Sequence, residues 1–284
     1  MTADGQPVVG ETSNKVLVMS AVGAMQAAGH KSHGIGSIVP ALAKNARAGH
    51  PHSQNGKRCE TQRVGHPPNP VGPLMQAADG NFYGTTSSGG SAGNYGTIFK
   101  LDQSESVSIL HDFNYNDGAN PVAGLIQGTD GKLYGTAPYG GTNNAGTLFQ
   151  LGTPGSFATL YHFGPRGETP LASLMQDTNG TFYGTTYAGG RDGYGIVYSL
   201  NMGLGPFVAF VQATGKVGGS VQVLGQDLTG TTTVTFNGVP ATSFSVKTDT
   251  YMTAIVPAGA TTGPVVVTTP TGTLTSNVSF RISQ

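Results

Sequence analysis

Eight residues in polar, glycine-flanked stretches are the chain's best candidates for chemistry: Tyr115, Tyr139, Asn143, Asn144, Arg166, Tyr187, Arg191 and Asp192. Flat aromatic rings stack on the apolar faces of a sugar or peptide, while amides, guanidinium groups and carboxylates supply directional hydrogen bonds. That mixture points to recognition rather than bond cleavage. A glycosidase needs two carboxylates across a cleft, one with a raised pKa. Of the nine acids between residues 67 and 205, Asp79 and Asp130 fall in turn motifs, and no motif links any two of Asp112, Asp117, Glu168, Asp177 and Asp192. There is no G-x-S-x-G elbow, Walker loop or H-E-x-x-H, and the glycine-rich stretches lack the lysine and following helix of a phosphate cradle. His30-x-x-His33, His50-x-His52 and Cys59 are metal-ligating types, but their spacing matches no zinc module. The expectation is a protein that is not an enzyme, with no catalytic residue, no cofactor and no metal.

The candidates sit between strands of an internal repeat. Asp79-Gly80-Asn81-Phe82-Tyr83-Gly84-Thr85 returns as Asp130-Gly131-Lys132-Leu133-Tyr134-Gly135-Thr136 and as Asn179-Gly180-Thr181-Phe182-Tyr183-Gly184-Thr185, with tyrosines 51 and 49 residues apart. This period fits a blade of a β-propeller better than any helical solenoid. Each copy reads as a short strand, a two-residue Asp-Gly or Asn-Gly hairpin turn, a second strand, a glycine-rich loop and a third strand. The first two copies add a fourth, Ser106 to Phe113 and Phe157 to Phe163. The repeated glycine inside the second strand, Gly84, Gly135 and Gly184, suggests close approach of a neighbouring backbone or a bulge. The repeated aromatics are expected in the core, and His111 and His162, in matching places at strand ends, are expected to be hydrogen-bonded structural residues rather than ligands. In a four-stranded blade the loop after the second strand and the loop to the next blade emerge on one face, so the eight candidates are expected to share it.

The pattern D/N-G-x-F/L-Y-G-T-x-x-x-G-G-x(3–5)-G-x-I/L/V-F/Y-x-L, read at Asp79 to Leu101, Asp130 to Leu151 and Asn179 to Leu200, resembles the GloVer (Gloeo-Verruco) tandem repeat. The resemblance implies a secreted or surface-anchored, propeller-like protein. Three blades are too few to close a ring, which takes at least four, so the open blade edges are expected to invite self-association.

From residue 206 the pattern changes to about seven short strands, among them Val221-Gln222-Val223-Leu224, Val234-Thr235-Phe236, Ala254-Ile255-Val256 and Val265-Val266-Val267. Turn signals every eight to twelve residues spell a β-sandwich. The order P-x-V, G-K-x-G, V-x-V-x-G, V-x-F-N-G, A-x-V-P, G-x-V-x-V resembles the IPT/TIG family of immunoglobulin-like domains, which implies an interaction or spacer module. The fold class is therefore all-β: three propeller-like repeats over residues 67–205, then an immunoglobulin-like β-sandwich over 206–284.

Residues 1–66 contain none of the 23 aromatic residues and no sustained period, and they read as a disordered or non-native leader. Formal net charge is zero, and the two β segments hold only seven Lys and Arg between them, scattered. That excludes a nucleic-acid platform, whose phosphates need clustered cations. No run approaches the 18 apolar residues of a membrane span. A single cysteine excludes a disulfide framework, and the low-charge, Thr/Gly-rich composition suits an extracellular or cell-surface protein. The segment from Lys15 to Ala24 is a poor export signal. The expected partner is a glycan or a cell-surface protein. Two other readings follow from the same residues: a fragment of a propeller-type polysaccharide lyase or hydrolase, and a structural surface-layer component.

Overall fold

The structure, a computed structural model, describes residues 8–11 (backbone only), 69–152 and 155–283. No helix occurs among the described residues, and the chain is all-β. Each repeat forms one four-stranded antiparallel sheet. The first contains Met75–Gln76, Phe82–Thr86, Thr97–Leu101 and Val107–Asp112, and the second Ile126–Gln127, Leu133–Ala137, Thr147–Leu151 and Phe157–His162, each in chain order. The third is built differently. Met175–Gln176, Phe182–Thr185 and Val197–Asn201 supply three strands, and Val8–Glu11 supplies the fourth, with Val8 opposite Asn201 and Glu11 opposite Tyr198. Part of the leader thus completes the sheet whose own outer strand the sequence lacks. The leader's histidines and Cys59, named above as metal-ligating types, lie outside the described residues.

The hairpin turns differ from a two-residue loop. Gly80 donates its N–H to Ala77 (2.9 Å) and Ala77 to Asn81 (2.9 Å), and the same pair of bonds closes at Gly131 and Gly180. Only the glycine has positive φ, +81°, +80° and +90° in the three turns, so each is a three-residue loop with a left-handed glycine at its end. The preceding Asp or Asn accepts the N–H two residues on, at 3.0, 3.2 and 2.8 Å. In the first two repeats the acid's other oxygen also accepts the tyrosine hydroxyl: Tyr83 to Asp79 at 2.7 Å and Tyr134 to Asp130 at 2.9 Å. One carboxylate therefore pins the turn and satisfies a buried phenol.

The repeated strand glycine faces a ring, not a backbone. Gly84, Gly135 and Gly184 stand directly across from Phe99, Phe149 and Tyr198. A β-carbon on Gly84 or Gly135 would lie 2.7 or 2.6 Å from the ring tip, and one on Gly184 would overlap the Tyr198 hydroxyl. The ring lies across the space the missing side chain leaves. This face carries the strand-two residues Phe82, Gly84 and Thr86 and their equivalents, and the opposite face carries Tyr83 and Thr85 and theirs. The two faces of successive sheets meet. Leu125, Leu133, Phe149 and Leu151 of the second sheet pack on Tyr83 and Ile98 of the first, and Leu174, Phe182, Tyr198 and Leu200 of the third pack on Tyr134 and Leu148 of the second. Each fully buried ring or aliphatic side chain contributes roughly 1.5–3 kcal/mol by leaving water.

Hydrogen bonds repeat across these interfaces. Gln127 accepts from the Ala78 N–H (2.8 Å) while its amide donates to Gly131 of its own turn (2.9 Å), and Gln176 does the same with Thr129 (3.1 Å) and Gly180 (3.2 Å). After the third sheet the pattern changes partner. Phe207 donates its N–H to the Thr178 carbonyl (2.9 Å) and Gln226 its amide to the Thr178 hydroxyl (2.8 Å), as Gln176 does to the Thr129 hydroxyl (3.2 Å), so the C-terminal segment holds the turn of the third repeat.

That segment contains two four-stranded sheets, ordered Ala209–Phe210, Ser220–Leu224, Tyr251–Ile255, Phe244–Thr248 and Val239–Pro240, Thr233–Phe236, Val265–Thr269, Gly272–Thr275, and a parallel pair of Thr214–Gly215 with Arg281–Ile282. Alternate residues point inward, and Val221, Val223, Met252 and Ala254 of one sheet share a core with Val234, Phe236, Val265 and Val267 of the other. Phe280 closes that core against Phe210 and Phe236, with ring centroids 5.3 Å apart in both pairs. It is a two-layer sandwich.

Each repeat opens on a residue with positive φ before proline: Asn69 (+62°), Asn120 (+55°) and Thr169 (+58°). Asn tolerates this left-handed region, whereas β-branched Thr does so at a cost of about 1–2 kcal/mol. Asn120 also donates to the Ser87 carbonyl (2.7 Å), a bond Thr169 lacks the amide to make.

Three stability measurements follow. Thr169→Asn should raise the urea midpoint by the equivalent of about 1 kcal/mol with an unchanged denaturant slope. Tyr198 carries a buried hydroxyl with no partner where the other repeats have phenylalanine, so Tyr198→Phe should stabilise by about 1 kcal/mol, read as a higher Tm. Burial, then the Asp79 bond, pushes the Tyr83 phenol up to about 12, and burial raises Tyr134 and Tyr198 as well. The native state thus keeps protons that an unfolded tyrosine loses near pH 10. Stability should be full below about pH 10 and fall as pH rises through about 12, in urea midpoints that track tyrosinate absorbance.

Candidate functional site

The loops that carry the eight candidate residues are stitched together in series by backbone bonds. Asn120 donates to Tyr95 (2.7 Å), Gly141 to Tyr115 (2.7 Å), Thr169 to Ala145 (2.9 Å) and Tyr187 to Thr169 (3.0 Å). Further bridges pair Ala119 with Tyr139 and Glu168 with Ala188. All eight residues therefore belong to one continuous rim of loops at one end of the three sheets. Glycine makes the stitching possible: a β-carbon on Gly140 would overlap the Tyr115 carbonyl, and one on Gly189 would lie 2.7 Å from Gly167 Cα.

Within the rim, side chains divide into two groups. Tyr115, Tyr139, Asn143 and Asn144 surround the junction of the first two repeats. The Tyr115 hydroxyl donates to Asn144 Oδ1 at 2.5 Å, its ring tilts on Tyr95 with centroids 5.1 Å apart, and its backbone holds φ of +72°. Such a conformation is strained for an aromatic residue and persists only where its surroundings over-determine it. Asn143 Nδ2 donates to the Phe163 carbonyl (2.9 Å), tying this group to the next loop. Tyr139 is exposed. These four residues are preorganised, with Tyr115 and Asn144 already satisfying each other.

Arg166, Tyr187, Arg191 and Asp192 form the second group, around the third repeat. All are exposed, and no ion pair joins them among the described residues. Tyr187 is 73% exposed, and Tyr194, which the sequence reading did not single out, is 90% exposed. Tyr194 stands where the first repeat has Tyr95 and the second Ala145. The signal that would have found it was its place between Gly193 and Gly195, which leaves its ring without neighbours.

His111 and His162 are not equivalent positions. Asp112 and His162 both pair across from the first residue of the third strand, Thr97 and Thr147, so His162 matches Asp112, while His111 matches Tyr161. Asp112 accepts the N–H (3.1 Å) and hydroxyl (2.5 Å) of Ser91, and His162 Nδ1 accepts the N–H of Thr142 (3.2 Å): two residue types serve one loop-anchoring role. The hydroxyl of Ser91, then its N–H, hold the Asp112 carboxyl below the ordinary carboxylate range despite opposing burial. His111 bonds Asp117 (3.1 Å) and stacks on Phe157 of the second sheet, centroids 3.6 Å apart and planes 2° apart. Asp117 in turn caps the Asn114 N–H (3.0 Å), so this His–Asp pair orders the loop that presents Tyr115. At Asp79 burial works against the charge, but bonds from Tyr83 and Asn81 prevail and leave its carboxyl lowered. These carboxylates are engaged in holding turns. Among the described residues no cluster of three or more His, Cys, Asp or Glu is placed to hold a metal ion, and no helix is long and apolar enough to cross a membrane.

No curated protein matches the chain. Among solved structures, similarity extends to a fungal alcohol oxidase of the AA5 family in complex with copper, at 18% identity and TM-score 0.36 over 74% of this chain and 53% of that one. It extends also to a provisionally assigned gluconolactonase, at 16% identity and TM-score 0.29 over 64% of this chain and 57% of that one. The chain thus spans little more than half the length of either. The family model of the Gloeobacter/Verrucomicrobia repeat matches residues 58–252, which takes in all three repeats, though not the strand Val8–Glu11 that completes the third sheet, and the first part of the sandwich. Matched over more than half its length, with the repeated glycine, tyrosine and turn acid each in a defined structural role, the chain belongs to the Gloeobacter/Verrucomicrobia repeat family.

Proposed function

We propose that this is a non-catalytic, extracellular binding protein whose loop rim recognises a glycan or a surface peptide, with the sandwich as a spacer or adhesion unit. The observation that carries the reading is the pair of exposed tyrosines, Tyr187 and Tyr194, flanking Arg191 and Asp192 on a loop whose backbone is held by Thr169 and Glu168. Exposed aromatic rings on a fixed backbone, beside charged groups that form no ion pair among the described residues, suit a ligand with apolar ring faces and hydroxyls. A fixed backbone lowers the ordering cost of binding. The sheets are read as propeller blades, which array such loops around one end. The sandwich, with its V-x-V and V-x-F-N-G strands, is read as an IPT/TIG-type module, and its three cations Lys216, Lys247 and Arg281 argue for a role other than nucleic-acid binding.

Retention on a panel of immobilised polysaccharides tests this. Saturable binding without release of reducing or unsaturated ends is expected. Tyr187→Ala combined with Tyr194→Ala should weaken it at least about tenfold, in line with losing one or two stacking contacts, while the Tm stays within about 2 °C because both rings are exposed. Product release would overturn the non-catalytic reading, and unchanged binding in the double variant would move the site away from this loop.

A further inference from the structure

The two interfaces inside the repeat array are copies of one another, and each uses the ring-over-glycine face of the later sheet on the tyrosine face of the earlier one. The array therefore ends with one of each face unused. On the first sheet the unused face is the one bearing Phe99 over Gly84: Leu74 is 48% exposed there, whereas its equivalents Leu125 and Leu174 inside the array are 5% and 6% exposed. Ile109, opposite Phe99, is exposed at 46%. On the third sheet the strand part of the tyrosine face is open, while its turn at Thr178 is held by the C-terminal segment. Thr185 is exposed where Thr85 and Thr136 are buried and donate to the next repeat's carbonyls, Ala123 at 3.1 Å and Ala172 at 3.4 Å. Met175 and Val197 are exposed as well, and with Tyr183, Ala172 and Ser173 they line a shallow apolar groove.

We propose that these two faces join copies of this chain head to tail, the first sheet of one copy seated on the third sheet of the next. The occupant follows from continuity with the interface already in use. The first sheet carries the same residue types at these places as the second and third sheets, Leu74 for Leu125 and Leu174, and Phe99 for Phe149 and Tyr198; Phe99 is already buried beneath this face, and Leu74 and Ile109 are what it exposes. Gln76 already clasps its own turn at Gly80 (3.1 Å), as Gln127 and Gln176 clasp theirs, and among the described residues no preceding turn lies before it. Packing through faces removes far more apolar surface than pairing through strand edges, which would add backbone bonds but leave Leu74 and Met175 in water. The contact is heterologous, and it closes when two copies engage at both ends to set six sheets in succession, within the usual range of propeller rings.

Sedimentation of the full chain over a wide concentration range tests the proposal independently of any ligand. Reversible self-association is expected. Leu74→Glu and Met175→Glu, each at an exposed position, should each give a folded monomer with unchanged far-ultraviolet dichroism, and Ile109→Lys serves in place of Leu74→Glu if that variant fails to fold. Mixing the two glutamate variants should restore a one-to-one pair, because each keeps the face the other has lost. A monomeric native chain at every concentration would overturn the proposal, as when residues 12–68 of the same chain cover these faces. Association that survives both substitutions, or variants that fail to complement on mixing, would overturn it equally. Glycan retention by the monomeric variants separates this outcome from failure of the rim to bind.

Discussion

The repeat array depends on one contact: an aromatic ring lying over a strand glycine, with the face so formed buried against the tyrosine face of the preceding sheet. Phe149 over Gly135 packs on Tyr83 and Ile98, and Tyr198 over Gly184 packs on Tyr134 and Leu148. A glycine in a strand ordinarily weakens it. Here the loss is offset because the ring fills that space and the flattened face lets the preceding sheet approach closely. The tyrosine on the other face brings a hydroxyl into the core, and the turn carboxylate that satisfies it explains why Asp and Tyr recur at fixed spacing. The third repeat departs from the pattern twice, with Asn179 in the turn and Tyr198 in place of phenylalanine, and its buried hydroxyl is the one left without a partner.

The loop rim is a consequence of this stacking. Once the sheets are set face to face, the loops after the second and fourth strands lie side by side, and left-handed glycines let their backbones bond across the gap. Rigidity is graded along the rim. Tyr115 and Asn144 are locked to each other, while Tyr187, Arg191, Asp192 and Tyr194 stand on a fixed backbone with free side chains. A recognition surface needs both: anchored loops to limit the entropy lost on binding, and unsatisfied groups to meet a ligand.

Much of this was legible in the chain itself. The period near 50 residues, the turn acids, the recurring aromatics and the change of pattern near residue 206 each correspond to a described element. What was misread has a physical cause in each case. The strand glycine suggests a close backbone or a bulge in the sequence, because spacing alone does not show which side chain crosses from the next strand. His111 and His162 look alike in their local sequence yet sit one register apart: both repeats carry the same bulge, and His111 lies two residues before Phe113 whereas His162 lies one before Phe163, so the two side chains leave opposite faces of the strand. Val8–Glu11 carries no strand signal of its own, and its pairing with Val197–Asn201 comes from an open edge on a sheet formed far along the chain.

The amino-acid sequence by itself determined the local grammar: which residues turn, which alternate inward, and that three similar units precede a sandwich. These follow from backbone preferences and from burial periodicity, which act over a few residues. Only the tertiary structure decided which face meets which, that an N-terminal strand completes the third sheet, that Gln226 bonds the turn of the third repeat, and which tyrosines remain in water. Those outcomes depend on contacts between residues tens to hundreds of positions apart, and no local pattern encodes the partner of a surface before the sheets that bear it have formed.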